Sequence, residues 1–313
     1  MSYERRMIEQ LAMPTREQIG QALLRRLLKH GGVIKEFGAG ETIVDEIAAE
    51  FDLNDRQRLA FLETVYRKEN RVKKSSLWHR LLFRAADTLA REKLVSRPTE
   101  TYRLTKQREW MLTEKGFDEA LYLCNIPATR KDSLPVKSFE VQKIAKTIVE
   151  LPKPRNYYPI ETGKKVAKKT GESVLRGRGF RQAVVEAYNF KCAVCGLKII
   201  SPDTLSWEVE AAHIVPNYAK GRDDIWNGIA FCRLHHWAFD VGWFTILEDY
   251  QVQVSERINS LPPEYGIIGN YEFIRTLARN PTKLSLPNRE GVHPDHEAVR
   301  WHRQHVFNWQ CPQ

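Results

Sequence analysis

Two pairs of metal-ligating residues constrain the fold of this chain more than any other feature. Cys192 and Cys195 are separated by two residues, and Cys232 and His235 repeat that spacing. One tight turn can direct both side chains of such a pair toward the same ion, and three thiolates with one imidazole suit a tetrahedral structural Zn²⁺ site. Three of the five cysteines lie in this pattern. The spacing therefore predicts that the two pairs close the intervening segment around one zinc ion.

The segment between these pairs carries further chemistry-bearing residues. His213 ends an alternating, strand-like run, and Asn227 follows after a loop that contains Gly221 and two aspartates. His236 comes directly after the second pair, and Asp240 lies four residues beyond it, which places both on one face of a helix. An imidazole and a carboxylate in that arrangement can share one divalent cation.

With these residues in view, the segment from about 176 to 250 resembles an HNH nuclease of the ββα-metal class, most clearly in EAAHIVP, NGIAFC and HHWAFD. The resemblance implies a β-hairpin and a helix that hold one Mg²⁺ or Mn²⁺ ion against a scissile phosphate. It makes His213 the general base that activates water. Asn227 would hold the loop and orient the base, or reach the metal. His236 and Asp240 would ligate the catalytic ion.

One position departs from the family pattern. Many members carry Asp or His directly before the catalytic histidine as a metal ligand, where this chain has Ala212. Either Glu210 takes that role in catalysis or the helix and water supply the ligands, and a structural role for Glu210 is the alternative. One histidine and one ion suffice chemically, because the first accepts the proton of water and the second takes the developing negative charge.

Helical periodicity dominates the beginning of the chain. Thr15 and Gln18 form a capping box for a first helix, and a Gly-Gly pair ends it. A second helix is predicted over about 42–51. A third is predicted to begin after Asn54 and to run through Tyr66.

A basic amphipathic helix is predicted next, over SSLWHRLLFRAADTLAREKL, with Arg80, Arg84 and Arg91 on its polar side. Such a helix can pack on its domain while its basic face lies in a DNA major groove. The runs YRLT, which contains Tyr102 and Arg103, and REWMLT predict a β-hairpin after it. Three helices and a basic hairpin describe a winged helix, and the stretch resembles the N-terminal domain of the Mrr restriction family.

A basic, proline-rich segment over 126–175 is predicted to link the two parts. Lys164 and Lys165 are expected to follow DNA phosphates, and a plain solubilising tether is the alternative. The formal net charge of +10 suits a polyanionic partner. No run of 18 apolar residues and no signal peptide is visible, so a cytoplasmic protein without membrane contact is expected.

The predicted fold is α+β, with a winged-helix DNA-reading domain over 1–125, a basic linker over 126–175 and a zinc-stabilised HNH domain with a C-terminal capping segment over 176–313. The predicted function is a metal-dependent endodeoxyribonuclease of the restriction type, acting on double-stranded DNA with modified bases. The resemblance to winged-helix readers of N6-methyladenine favours that mark over a modified cytosine. A DNA-binding regulator with a structural zinc module, and a nicking or repair nuclease on branched DNA, are the alternatives. A lone HNH domain cuts one strand, so a double-strand break would require a homodimer or two encounters.

Overall fold

The computed structural model describes residues 3–38, 40–66, 71–162, 171–202, 206–262, 264–265 and 283–308. The chain divides into two compact units. The N-terminal unit comprises Met1–Glu140 with Asp203–Leu205, and the C-terminal unit comprises Val141–Pro202 with Ser206–Gln313. Within the described part, no helix combines the length and the apolar character that crossing a bilayer requires.

The N-terminal unit alternates helices with short strands. Its helices are α1 (Tyr3–Gln10), α2 (Arg16–Lys29), α3 (Thr42–Glu50), α4 (Asp55–Arg58), α5 (Leu77–Arg91), α6 (Pro98–Thr105) and α7 (Glu114–Leu123). Its strands are β1 (Val33–Lys35), β2 (Phe61–Tyr66), β3 (Arg71–Ser76), β4 (Val95–Ser96) and β5 (Glu109–Leu112). They form an antiparallel sheet in the order β1-β5-β4 and a separate β2-β3 hairpin.

Helix α2 lies in the core of this unit because its apolar residues recur at helical spacing. The backbone N–H of Gln18 donates to the Thr15 hydroxyl at 3.2 Å, and the backbone N–H of Thr15 donates to the Gln18 side chain at 2.8 Å. The predicted capping box is therefore confirmed. Ile19, Leu23 and Leu27 are fully buried along the inner face of the helix.

The helix predicted from Asn54 through Tyr66 is wrong beyond its first turn. Asn54 caps α4 as expected, but the helix ends at Arg58 and the chain continues as β2. Phe61 pairs with Ser76, and the ladder continues along β3. A short run of apolar residues fits a strand as well as a helix, and pairing with β3 decides between them here.

The hairpin predicted after α5 is wrong in its first strand. YRLT lies inside α6, where Pro98 begins the helix with a φ already suited to that position and the Glu100 side chain accepts from the backbone N–H of Arg97. REWMLT supplies β5 as expected, but its antiparallel partners are β1 and the two-residue strand β4. The connection between β4 and β5 therefore contains a helix.

The C-terminal unit combines helices with two small antiparallel strand pairs, and its last α-helix lies near the end of the chain. Its helices are α8 (Phe139–Glu150), which begins at the unit boundary, α9 (Gly171–Ala187), α10 (Arg233–Asp240) and α11 (His296–His302). Its strands are β6 (Val209–His213), β7 (Gly228–Cys232), β8 (Phe244–Ile246) and β9 (Val252–Val254). β6 pairs antiparallel with β7, and β8 with β9. The consecutive elements β6, β7 and α10 make the ββα unit that the sequence predicts.

Candidate active site and metal site

The four residues of the two pairs meet at one point. Cys192 lies in a tight turn in which the Gly196 backbone N–H donates to the Cys192 carbonyl at 2.9 Å, and Gly196 takes a left-handed φ of 72°. Cys232 ends β7, and His235 lies in the first turn of α10. Within the described ranges, Cys192, Cys195, Cys232 and His235 form the one group of metal-ligating side chains whose ligand atoms all lie within 4.8 Å of one another.

Their spacing fits a tetrahedral ion. Ligands at zinc–sulfur and zinc–nitrogen distances of about 2.3 and 2.0 Å lie about 3.8 Å apart for two sulfurs and about 3.5 Å apart for sulfur and nitrogen. Cys195 Sγ lies 4.0 Å from Cys232 Sγ, and Cys192 Sγ lies 3.7 Å from His235 Nδ1, although Cys232 Sγ approaches His235 Nδ1 to 2.9 Å. Hydrogen bonding to Cys195 and Cys232 lowers the pKa of Cys192, which favours the thiolate that a metal needs. This donor set suits Zn²⁺.

His213 lies at the end of β6, opposite Gly228 of β7. Its ring stacks on Phe180 of α9, with centroids 4.0 Å apart and an interplanar angle of 19°. Its Nε2 lies 3.0 Å from an oxygen of Asp223. A Cβ atom at Gly228 would overlap Val184 and press on Phe180. The glycine therefore lets α9 approach the hairpin closely enough for Phe180 to cover the imidazole.

Asn227 is fully buried and holds the loop between β6 and β7. Its side-chain oxygen accepts from the Val215 backbone N–H at 2.8 Å. Its Nδ2 donates to the carbonyls of Val215 and Arg222, at 3.0 and 2.9 Å. Both ends of the amide are thus bonded to backbone. Of the two roles that the sequence left open for Asn227, this arrangement favours holding the loop.

Two carboxylates contact His236 on α10. Its Nδ1 lies 3.3 Å from Glu210 of β6, and its Nε2 lies 3.5 Å from Asp240. Arg233 also donates to Glu210, at 3.0 Å. The hydrogen bond from His236 lowers the pKa of Glu210, whereas burial raises the pKa of Asp240. An ionised Glu210 can act as a cation ligand.

The side chain of Ala212 is fully buried in β6. Ala212 and Glu210 are two residues apart on one strand, so their side chains leave the same face of the hairpin. The acidic group on this face is therefore displaced by two positions from its usual place in the resembled family. Glu210 contacts His236 from its position on β6.

The residues of this hairpin and helix also match a family. Residues 192–247 fit the sequence model of a family described as HNH endonuclease. The segment is an HNH domain. It runs from the pair Cys192 and Cys195 through β6, β7 and α10 into β8.

A solved structure titled "Modification dependent TagI restriction endonuclease" is similar to part of the chain, with 21% identity and a TM-score of 0.30. The similarity covers 41% of this chain and 38% of that chain, so the matched region spans less than half of that protein. No curated protein matches the chain. The family match is confined to residues 192–247.

Outside the HNH domain, the arginines predicted to read DNA make ion pairs within the N-terminal unit. Arg80 lies 3.3 Å from Glu4 of α1, and Arg84 contacts the same carboxylate. Arg91 lies 3.4 Å from Asp87, on its own helix. Tyr102 and Arg103 of α6 complete the predicted set within the described residues; Tyr102 is about half exposed. Lys164 and Lys165 lie outside the described residues.

Sequence reasoning missed the residues that support the HNH loop from a distance. Asp223 contacts His213, and Phe180 covers it. Tyr157 donates to Asp224 at 2.7 Å, next to Asp223. The carboxylate pair at 223 and 224 was visible in the sequence as a feature of the loop. Arg176 and Tyr157, which contact these two carboxylates, lie far away in the chain, and no local spacing indicates them.

Proposed function

We propose that this protein is a metal-dependent endonuclease that hydrolyses phosphodiester bonds of double-stranded DNA in its HNH domain. The observation that carries the proposal is that one ββα unit, next to the Cys/His group, places His213 at the end of β6 and brings Glu210 and Asp240 into contact with His236. In support, the match to the family described as HNH endonuclease covers residues 192–247, a range that includes all four of these residues. A base beside a potential cation site is what hydrolysis of an unreactive phosphodiester needs.

The roles follow from the chemistry of the side chains. His213 accepts the proton of the attacking water, and Asn227 keeps the loop around it in place. Glu210, His236 and Asp240 are the residues that would hold a Mg²⁺ or Mn²⁺ ion, since carboxylate and imidazole groups ligate such cations. When bound, the ion stabilises the negative charge that develops on the phosphate and the leaving oxygen. Glu210 replaces the ligand that position 212 does not provide.

For the N-terminal unit we propose a winged-helix reader with a modified wing. Helices α2, α3 and α5 and a sheet in the order β1-β5-β4 have the composition of such a fold, with the helix-containing connection between β4 and β5 in place of the wing. Arg80, Arg84 and Arg91 on α5, with Tyr102 and Arg103 on α6, would contact the duplex.

We further propose that the reader selects DNA with modified bases. A methyl group in the major groove offers an apolar contact, and it requires an exposed apolar partner. Trp78 and Trp110 are 2% and 1% exposed and belong to the core, whereas Phe83 and Tyr102 are 52% and 48% exposed. Phe83 on α5 and Tyr102 on α6 are therefore the candidates for contact with the mark. N6-methyladenine remains the favoured mark.

The test is digestion of one plasmid prepared in three forms: unmodified, adenine-methylated and cytosine-modified, each with Mn²⁺. We expect cleavage of the adenine-methylated form. If Phe83 or Tyr102 contacts the mark, its replacement by Ala should lower the rate on that form by about 5- to 150-fold, since one base contact contributes about 1–3 kcal/mol. Tyr122→Ala, at an exposed tyrosine of α7, is the matched control. Equal cleavage of all three plasmids would refute modification dependence and leave the nuclease proposal intact.

A second candidate function is DNA binding without cleavage, by a regulator whose HNH domain is a structural zinc module. Ala212 favours it, because this position offers no metal ligand. The same digestions separate the two, since a regulator binds the plasmids and cuts none of them.

A further inference from the structure

Asp223 makes a contact with His213 that the HNH pattern of the sequence does not assign. The His213 Nε2 lies 3.0 Å from a carboxylate oxygen of Asp223. Both side chains are largely buried, at 18% exposure for His213 and 12% for Asp223. The guanidinium of Arg176 lies 3.8 Å from the other carboxylate oxygen. An ionised carboxylate only accepts hydrogen bonds, so the proton between the two groups belongs to the imidazole.

We propose that Asp223 is a positioning residue for His213, fixing both its ring orientation and its tautomer. With the proton held on Nε2, a neutral His213 presents Nδ1 as its basic nitrogen. Among the described residues, none hydrogen-bonds to Nδ1, which leaves this atom for a water molecule. A carboxylate also stabilises the imidazolium that forms when the ring takes a proton. This inference rests on the proposed nuclease function.

The loop that carries Asp223 is held on both sides. Asn227 binds the Arg222 carbonyl from within the loop. From outside, the segment after α8 runs beside it. The Arg222 backbone N–H donates to the Pro159 carbonyl and the Glu161 backbone N–H to the Lys220 carbonyl, each at 2.9 Å.

The close fit of this loop leaves no room for a side chain at Gly221. A Cβ atom there would overlap the Val215 carbonyl. Phe180 adds a second restraint on the imidazole by covering one face of the ring. An in-plane hydrogen bond and a stacked ring together leave His213 one orientation.

Asp223→Asn is the sharpest variant because it preserves shape and reverses hydrogen-bonding capacity. Arg176 attracts the amide oxygen to its own side, which turns the amide NH₂ toward His213. The ring then accepts a hydrogen bond at Nε2 and carries its proton on Nδ1. The protonated Nδ1 can no longer accept a proton from water. Asp223→Glu keeps a carboxylate, and Asp249→Asn, in an exposed turn of the same unit, is the matched control.

We expect single-turnover cleavage by Asp223→Asn to fall about 10²- to 10⁴-fold, the range for loss of a general base, with the Kd for DNA within about twofold of wild type. Asp223→Glu should recover part of the rate, and Asp249→Asn should match wild type. In a His213→Ala background, Asp223→Asn should cause no further loss, because it acts through the imidazole. An equal fold-loss in both backgrounds, or no loss in wild type, would overturn the proposal.

Nitrogen-15 NMR of the histidine rings in the zinc-loaded protein gives a readout that needs no cleavage. His213→Gln identifies the ring signals, and wild type should show the proton on Nε2, with Nδ1 unprotonated in the neutral ring. Asp223→Asn should shift the proton toward Nδ1. A proton on Nδ1 in wild type would refute the positioning role. A protein that cuts no DNA but shows the expected tautomers would refute the nuclease proposal and retain the contact between Asp223 and His213.

Discussion

At the residue scale, the roles of Asn227 and His213 are separated by which of their polar atoms are already bonded. The Asn227 amide is hydrogen-bonded to the backbone of Val215 and Arg222. His213, in contrast, keeps one ring nitrogen without a hydrogen-bond partner among the described residues. An amide that is buried and hydrogen-bonded to backbone through both its oxygen and its nitrogen is held away from a metal ion or a water molecule. We therefore expect loss of Asn227 to affect the loop first and the chemistry through it.

Asn227→Ala should lower the free energy of unfolding of the C-terminal unit by roughly 2–4 kcal/mol, because it leaves buried backbone groups of the loop without partners. Thermal unfolding measures this effect. Asn227→Asp keeps the acceptor for the Val215 N–H but loses both donated hydrogen bonds, so it should also lower the free energy of unfolding. An unchanged melting temperature together with a raised Mn²⁺ requirement would instead identify Asn227 as a metal ligand.

The site residues divide into those that local spacing could predict and those that only the fold brings together. His236 and Asp240 lie one helical turn apart, so their proximity is encoded within α10. The contact between Glu210 and His236 needs the register of β6 against β7 and the position of α10 after it. Asp223 depends on the path of a loop that other segments hold. Such a path is a tertiary property without a local sequence signal.

At the scale of elements, helix caps were predictable and strand partners were not. Thr15 and Ser76 cap helices through bonds to residues three positions away, which any reader of the sequence can see. β5, in contrast, pairs with β1, more than 70 residues earlier in the chain, as for Met111 with Val33. A strand is stabilised by that distant partner, and the sequence of the strand alone does not identify the partner.

An ion-pair cluster joins α1 to α5 at two arginines that we propose contact DNA. Glu4 of α1 is 16% exposed and contacts both Arg80 and Arg84. If these arginines bind phosphate or base edges, they must first leave Glu4. The Glu4 carboxylate would then compete with DNA for the guanidinium groups of Arg80 and Arg84.

Glu4→Gln should therefore tighten DNA binding several-fold while lowering stability by no more than about 1 kcal/mol, the usual range for a partly exposed ion pair. Glu9→Gln is the matched control, because Glu9 lies on the same helix and pairs with Arg5 of that helix. Binding is measured by fluorescence anisotropy at fixed salt. A lower melting temperature with unchanged affinity would show that the Glu4 cluster only fastens α1 to the unit.

Helix α11 introduces a pH-dependent contribution to stability. His302 is buried between Thr245 and the Phe239 carbonyl, and its ring stacks on Phe239 with centroids 3.6 Å apart. Burial lowers its pKa to about 4, from an ordinary value of 6.5. Between these two values the unfolded chain binds a proton at this site and the folded chain does not.

This difference should make the C-terminal unit less stable as the pH falls from about 6.5 to about 4, by on the order of 3 kcal/mol, with no further effect from this group below that window. His302→Gln should flatten the pH dependence of the melting temperature in this range. His305→Gln, at an exposed histidine nearby, should leave it unchanged. An identical slope for wild type and His302→Gln would contradict the assignment.

At the scale of the whole molecule, the two units have separate cores, and the metal-ligating group belongs to one of them. Binding of a structural ion contributes directly to the folding of the unit that contains it. Removal of a ligand should therefore act on the C-terminal unit and spare the other.

Purified protein should contain one zinc per chain by elemental analysis, and Cys232→Ala should abolish the unfolding transition of the C-terminal unit while the N-terminal unit still melts cooperatively. Cys124→Ala, at a partly buried cysteine of the N-terminal unit, should retain the zinc. A folded preparation without zinc would remove the structural-metal assignment.

We propose that the HNH domain cuts DNA with His213 as the general base. The single-turnover cleavage rates of wild type and His213→Ala test this most directly. Both are assayed on the same modified plasmid over a Mn²⁺ titration, with His305→Ala as the control histidine and EDTA as the metal-free reference. Wild type and His305→Ala should cleave equally and only with metal, while His213→Ala should be slower by about 10²- to 10⁴-fold with DNA affinity nearly intact. Cleavage by His213→Ala at the wild-type rate, or no cleavage of any plasmid by the zinc-loaded wild type, would contradict the account.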